Sequence, residues 1–100
     1  MATKRAVILH PSDTVANVVE AVEPGDIVEA RVGTQVTSLA AVESVPFGFK
    51  IALVDTAQGN DVRKYGEVIG KASRPIARGQ LVHIHNLEGA RGRGDLQPKG

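Results

Sequence analysis

The sequence predicts a small, mainly β domain, and three observations carry that expectation. Fourteen valines and six isoleucines stand against six leucines and three aromatics. β-Branched side chains are stiff at χ1 and suit the pleated, half-buried surface of a sheet. Eleven glycines and five prolines supply the turns that many short strands need. At 100 residues, with 42% hydrophobic and 23% charged, the chain is too apolar for disorder and has room for one core only.

Taken in order, Ala6 to Leu9 reads as a first strand, closed by His10 and Pro11. Ser12 and Asp13 then offer an N-cap, and Val15, Val18, Val19 and Val22 follow at i, i+3, i+4 and i+7. That spacing predicts one short helix near the N-terminus with a single apolar stripe. Valine is a mediocre helix former, so packing must hold it until Pro24 and Gly25 end it. Asp26 to Val32 alternates, Gly33 and Thr34 turn, and Gln35 to Val42 pairs back as a hairpin. Val45 to Gly48 turns again, and Lys50 to Val54 is a short buried strand. Gly59 and Asn60 lead into Val62 to Tyr65; Gly66 interrupts before Val68 to Ala72. Pro75 to Gly79 turns into a last strand, Leu81 to His85.

Three stretches share the pattern G-x-x-V, at Gly25 to Val28, Gly59 to Val62 and Gly79 to Val82. Val22 and Ile76 stand three residues before the first and third glycines, and Thr56 before the second. Glycine supplies a positive φ and the valine starts the next strand pointing inward, which reads as a recurring structural corner. The unequal spacing excludes a solenoid array. Residues 1–88 are expected to form one domain. Residues 89–100, rich in glycine and arginine, are expected to be a flexible tail.

Several functions fall away on composition. No cysteine means no disulfide framework, thiolate nucleophile or zinc ribbon. A net charge of +1 and few aromatics argue against a nucleic-acid partner. No apolar run is long enough to span a bilayer, and the one after Met1 is too short for a signal peptide, so a cytoplasmic setting without membrane contact is expected. Phosphate loops, dinucleotide fingerprints, nucleophile elbows and H-E-x-x-H are all missing.

The segment from Leu81 to Asn86 carries the densest chemistry. On a strand, His83 and His85 would share a face with Cα atoms about 6.5 Å apart, and Val82 and Ile84 would fill the core behind. Two such imidazoles suit a metal ion, an anion or a proton transfer, or simply the solvated face of an edge strand. His10 reads as a partly exposed structural residue. Lys64, Tyr65 and Glu67 gather a cation, a phenol and a carboxylate at a turn, either an oxyanion site or ordinary surface, and Lys50 precedes a buried strand. Arg91 and Arg93, set between glycines, suit bidentate binding of a carboxylate or sulfonate, a docking strap or a solvated end.

Three stretches in combination, PFGFKIAL (46–53), KYGEVIG (64–70) and VHIHNL (82–87), resemble the small N-terminal module of the altronate/galactarate dehydratase family. The similarity runs from residue 6 to residue 95. The same module occurs free-standing as the small subunit of (2R)-sulfolactate sulfo-lyase and related two-subunit lyases. The resemblance implies a β-clip fold of the SAF type. It also implies a lyase subunit, inactive alone, that completes the active site of a separate large subunit. Such lyases eliminate water or sulfite from a hydroxy acid, with a divalent metal, iron or manganese, in the assembled enzyme.

Residues matching the family's pattern are Lys50, Lys64, Tyr65, His83, His85 and Asn86. On the resemblance, His83, His85, Lys64 and Tyr65 are assigned to catalysis and the two histidines also to a metal. Lys50 and Asn86 are assigned to substrate binding, joined there by Arg91 and Arg93 of the tail, and Asn86 is also expected to orient the turn after the histidines. The implied partners are the large catalytic subunit and the hydroxy acid, and self-association is left open. Phe49 departs from the pattern, because the family often has histidine between that glycine and lysine; its loss would remove a functional group. The competing reading is a non-catalytic binding or assembly module with a surface histidine pair.

Overall fold

A computed structural model describes residues 2–89, which form nine strands and, among those residues, no helix. The larger sheet holds β1 (Thr3–Val7), β2 (Val15–Val18), β3 (Ile27–Val32), β4 (Gln35–Ala40), β5 (Lys50–Ala52) and β8 (Leu81–Val82), in the order β4-β3-β1-β2-β5-β8. The smaller holds β6 (Asp61–Lys64), β7 (Glu67–Ala72) and β9 (Leu87–Gly89), in the order β6-β7-β9. Neighbours are antiparallel except β1 and β3, which run parallel. The expected β content and the expected hairpin of β3 and β4 are present, in a form consistent with a β-clip of the SAF type.

The expected helix is a correction: Val15–Val18 is strand β2, paired with β1 on one side and β5 on the other. Its position explains the misleading valine spacing. Val15 faces one apolar cluster with Ala52, Val62, Ala72, Ile76 and Val82. Ala16 and Val18 face the other, with Ala6, Val28, Leu39, Val45 and Ile51. A strand buried on both faces is apolar throughout rather than alternating. Val19, which the helical stripe would bury, is 39% exposed.

The glycine corner recurs four times among the described residues. The sequence pattern marks it at Gly25, Gly59 and Gly79; the second in chain order, at Gly48, escaped because Ile51 stands where the others have valine. All four glycines have φ between 85° and 92°. Each donates its N–H to the carbonyl of a residue opposite, respectively Ala41, Ala72, Ala52 and Val18. That residue's N–H returns a bond to the carbonyl just after the glycine. The residues three before the glycines then bridge in pairs, Val22 with Val45 and Thr56 with Ile76. The chain is therefore an internal repeat: a hairpin, β3-β4 or β6-β7, carried between two bridged corners.

At Gly79 the corner also packs its Cα against the Ala40 carbonyl, whereas Gly59 faces open space. Gly59→Ala should therefore cost about 1–2 kcal/mol through backbone strain alone. Gly79→Ala should cost about 3 kcal/mol or more because the new methyl meets a backbone carbonyl. Urea denaturation of the two variants beside the parent chain measures both.

Candidate functional site

Lys50 opens β5, flanked across the sheet by Asn17 and Val82. Directly paired residues share a face, and Val82 on that face belongs to the cluster covered by the small sheet. Lys50 thus sits at the rim where the two sheets meet, half-buried. Burial holds its ammonium pKa below the usual lysine value, and the charge of Lys64 lowers it further. Lys64 ends β6, the small-sheet strand that runs to this rim. Among the described residues no carboxylate forms an ion pair with either lysine.

The strand expected from Leu81 to His85 stops at Val82, and Asn86 is the reason. Its buried carboxamide accepts the His83 N–H at 2.9 Å and donates to the Leu81 carbonyl at 2.8 Å. The N–H groups of Asn86 and Leu87 both return to the His83 carbonyl. The chain is bent into a turn, so His83 and His85 do not alternate along a strand. Ile84, expected in the core, is 82% exposed at the tip. His85 is exposed, and His83 is half-buried against Phe49, ring centroids 4.7 Å apart.

Phe49 can take that place because of its corner. In the first and fourth corners the residue after glycine caps the turn: Asp26 accepts the Glu23 N–H and Gln80 accepts the Ala77 N–H. In the second, the corresponding turn residue is Pro46, which has no N–H to cap. The position after Gly48 is released from that duty, and its side chain reaches His83 instead.

Of the residues singled out in the sequence, Lys50 and Lys64 lie near each other at this rim, with Tyr65 one residue beyond Lys64, whereas His83 packs on Phe49, whose ring borders the other apolar cluster. His85 lies on the solvent side of the turn, and the Asn86 amide is spent on the turn's backbone. Arg91 and Arg93 lie outside the described residues, as does the expected tail beyond Gly89, which itself belongs to β9. Among the described residues, no three His, Asp or Glu side chains cluster in a way that could hold a metal ion. An open cleft of about 590 Å³ lies elsewhere, between the third and fourth corners, lined by Asp55, Thr56, Asn60, Ile76 and Gln80 but by no lysine or histidine. Among the described residues no helix is long and apolar enough to cross a membrane.

Sequence reasoning missed Asn17 and Asp13. Asn17 donates its side-chain N–H to the Gly48 carbonyl at 2.9 Å, steadying the corner that carries Phe49. Asp13, read as a helix cap, is a buried carboxylate bonded to two separate loops. The capping signal was real, but the N–H groups it serves lie partly some 50 residues away, which no local pattern reveals.

The pattern of the altronate/galactarate dehydratase SAF domain family matches residues 4–90 of this β module. The chain belongs to that family. It is 33% identical over 85 residues to the (2R)-sulfolactate sulfo-lyase subunit alpha of Chromohalobacter salexigens, covering 81% of this chain and 90% of that one. It is 40% identical over 78 residues to the altronate dehydratase of Escherichia coli, covering 78% of this chain but 15% of the enzyme. With the galactarate dehydratase of the same organism it shares 36% identity over 75 residues, 74% of this chain and 13% of the enzyme. The chain thus spans nearly the whole of one relative and about a seventh of the two dehydratases.

Two outcomes follow for the isolated chain. In an NMR titration the Lys50 ammonium should lose its proton below the model-compound value of 10.5, and Lys64→Gln should move that titration partway back up, because burial remains. Since the folded chain releases this proton earlier than the unfolded one, stability should rise with pH between the lowered value and 10.5. Separately, Asn86→Ala should cost about 2–3 kcal/mol in denaturant unfolding, since it leaves the His83 N–H and the Leu81 carbonyl without their partner.

Proposed function

We propose that this chain is the small subunit or module of a lyase that eliminates water or sulfite from a hydroxy acid, and that its cationic rim completes an active site carried by a larger subunit. The observation that supports this most is the lysine pair. Two ammonium groups near each other, one half-buried and neither matched by a carboxylate among the described residues, are unfavourable until an anion joins them. A hydroxy acid supplies a carboxylate, and a sulfolactate supplies a sulfonate as well. The relatives named altronate dehydratase, galactarate dehydratase and sulfolactate sulfo-lyase act on acids of this kind by name.

Elimination needs a base for the proton next to the carboxylate, stabilisation of the enolate that results, and an acid for the departing group. Lys50 and Lys64 bind the carboxylate and hold the charge that develops on it. His83, oriented by Phe49 and by the Asn86 turn, carries the proton. Tyr65 offers a hydroxyl beside Lys64, and His85 faces the partner. His83 and His85 are an incomplete ligand set, so an iron or manganese ion in the assembled enzyme would draw its other ligands from the large subunit. The setting is the cytoplasm.

A second reading, a docking module without catalytic groups, draws on the exposed apolar tips: Phe47 at 69% and Ile84 at 82% exposure flank the Phe49–His83 contact. Both readings place a partner on this rim, and mutation separates them. The chain is to be assembled with a dehydratase-type large subunit and assayed for elimination from altronate, galactarate and (2R)-sulfolactate. His83→Ala should lower kcat by about 100-fold or more, within the range for losing a general acid or base. Lys50→Gln should raise KM by about 10-fold, the loss of one charge-assisted contact. Unchanged turnover with His83→Ala in an intact assembly would leave docking as the function.

A further inference from the structure

The turn that carries Tyr65 is out of keeping with its residue. Lys64 pairs with Glu67, so Tyr65 and Gly66 form a two-residue hairpin loop, with φ of 61° and 76°. Positive φ at both positions marks a type I′ turn, which favours Asn-Gly or Gly-Gly. In the other half of the internal repeat the matching position is Gly33, at φ 58°. Tyr65 is the one non-glycine residue with positive φ among the described residues, and 72% of its surface is exposed. No packing of its ring explains the conformation.

Asp13 does. Its carboxylate accepts the Tyr65 N–H at 2.9 Å on Oδ2 and the Gly66 N–H at 2.8 Å on Oδ1. Oδ2 also accepts the N–H groups of Leu9 at 3.2 Å and His10 at 3.1 Å. One buried side chain therefore gathers four backbone donors from two loops that are distant in sequence. The His10 ring is drawn against the Gly66 Cα, where a methyl would lie within 3.0 Å of it. Ser12 donates its backbone N–H to His10 Nδ1 at 3.1 Å, so the neutral imidazole carries its proton on Nε2. That nitrogen has no partner among the described residues. Strain at a non-glycine residue, held by tertiary bonds and bordering unpaired chemical groups, is characteristic of a functional position.

We propose that Asp13 is a positioning residue: it locks the His10 loop onto the Tyr65–Gly66 turn, so that the Tyr65 hydroxyl and the His10 Nε2–H are offered together, beside Lys64, to the hydroxy-acid substrate. This rests on the lyase reading above for the identity of the substrate. The latch itself does not. It sets two neutral donors beside the lysine pair, which suits a molecule that carries hydroxyls as well as a carboxylate. It also assigns His10 a role that its sequence position alone does not suggest.

Two measurements decide it. On the full-length chain alone, Tyr65→Gly should raise Tm by about 2–5 °C, because glycine adopts this conformation without strain. In an Asp13→Asn background the same substitution should raise Tm by less than half as much, since the relaxed turn has little strain to relieve. Equal shifts in the two backgrounds, or a fall in Tm with Tyr65→Gly, overturn the latch. If Asp13→Asn does not fold, Tyr65→Gly alone carries this arm. In the assembled enzyme Tyr65→Gly should then lower kcat about 10-fold or more despite its greater stability, and His10→Gln should raise KM with kcat nearly unchanged. A stabilised Tyr65→Gly enzyme with full kcat overturns the substrate-facing role while leaving the lyase reading standing. An inactive parent assembly overturns the lyase reading, and with it that role, while the melting pair still decides the latch.

Discussion

The rest of the structure depends on a reciprocal exchange of two backbone hydrogen bonds at a positive-φ glycine. Each time it occurs, the chain reverses out of one strand and enters another with its next aliphatic residue facing inward. Four such exchanges place β2 and β5 between two apolar clusters, so that the central strands have no solvent face along most of their length. The same geometry puts the start of β5 at the open rim between the sheets. Lys50 is half-buried because of where its corner ends, and its perturbed amine follows from that position.

The repeat breaks its own symmetry at two places. Three corners place a polar residue after the glycine, whereas the second has Phe49 there, behind a proline that removes the donor to be capped. One hairpin has glycine at its first turn position, while the other has Tyr65, held by a buried carboxylate. Both departures border the lysine pair. A scaffold that satisfies its backbone by repetition can carry irregular side chains where the repeat is released, and this chain concentrates them on one rim.

Much of this was legible from the residues, and the parts that were not share a cause. Alternation in Asp26 to Val32 and the Gly33-Thr34 turn mark the first hairpin, and the G-x-x-V pattern marks three corners. The valines from 15 to 22 fit a helical stripe as well as a doubly buried strand; only their β-branching and the exposure of Val19 separate the two. His83 and His85 looked like neighbours on a strand; Asn86 was expected to orient a turn, but its carboxamide starts that turn already at His83. Lys50 and Lys64 were each identified, but their proximity is a property of two sheets meeting. The fourfold role of Asp13 lies furthest from local pattern, since half its donors come from the other repeat. The family resemblance, by contrast, was carried by short stretches around the corners and turns, and residues 4–90 bear it out.

The duplicated corner also bears on how the chain reaches its fold. A mainly β architecture with one parallel pairing would ordinarily have to close long loops before any contact repays the lost freedom. Here each half closes its own bridge, Val22 with Val45 and Thr56 with Ile76, across an interval of about twenty residues. The two closures are independent in the chain, so one half can nucleate while the other is still searching. β5, which pairs with β2 of the first half and β8 of the second, then becomes the seam along which two short searches are joined into one native state.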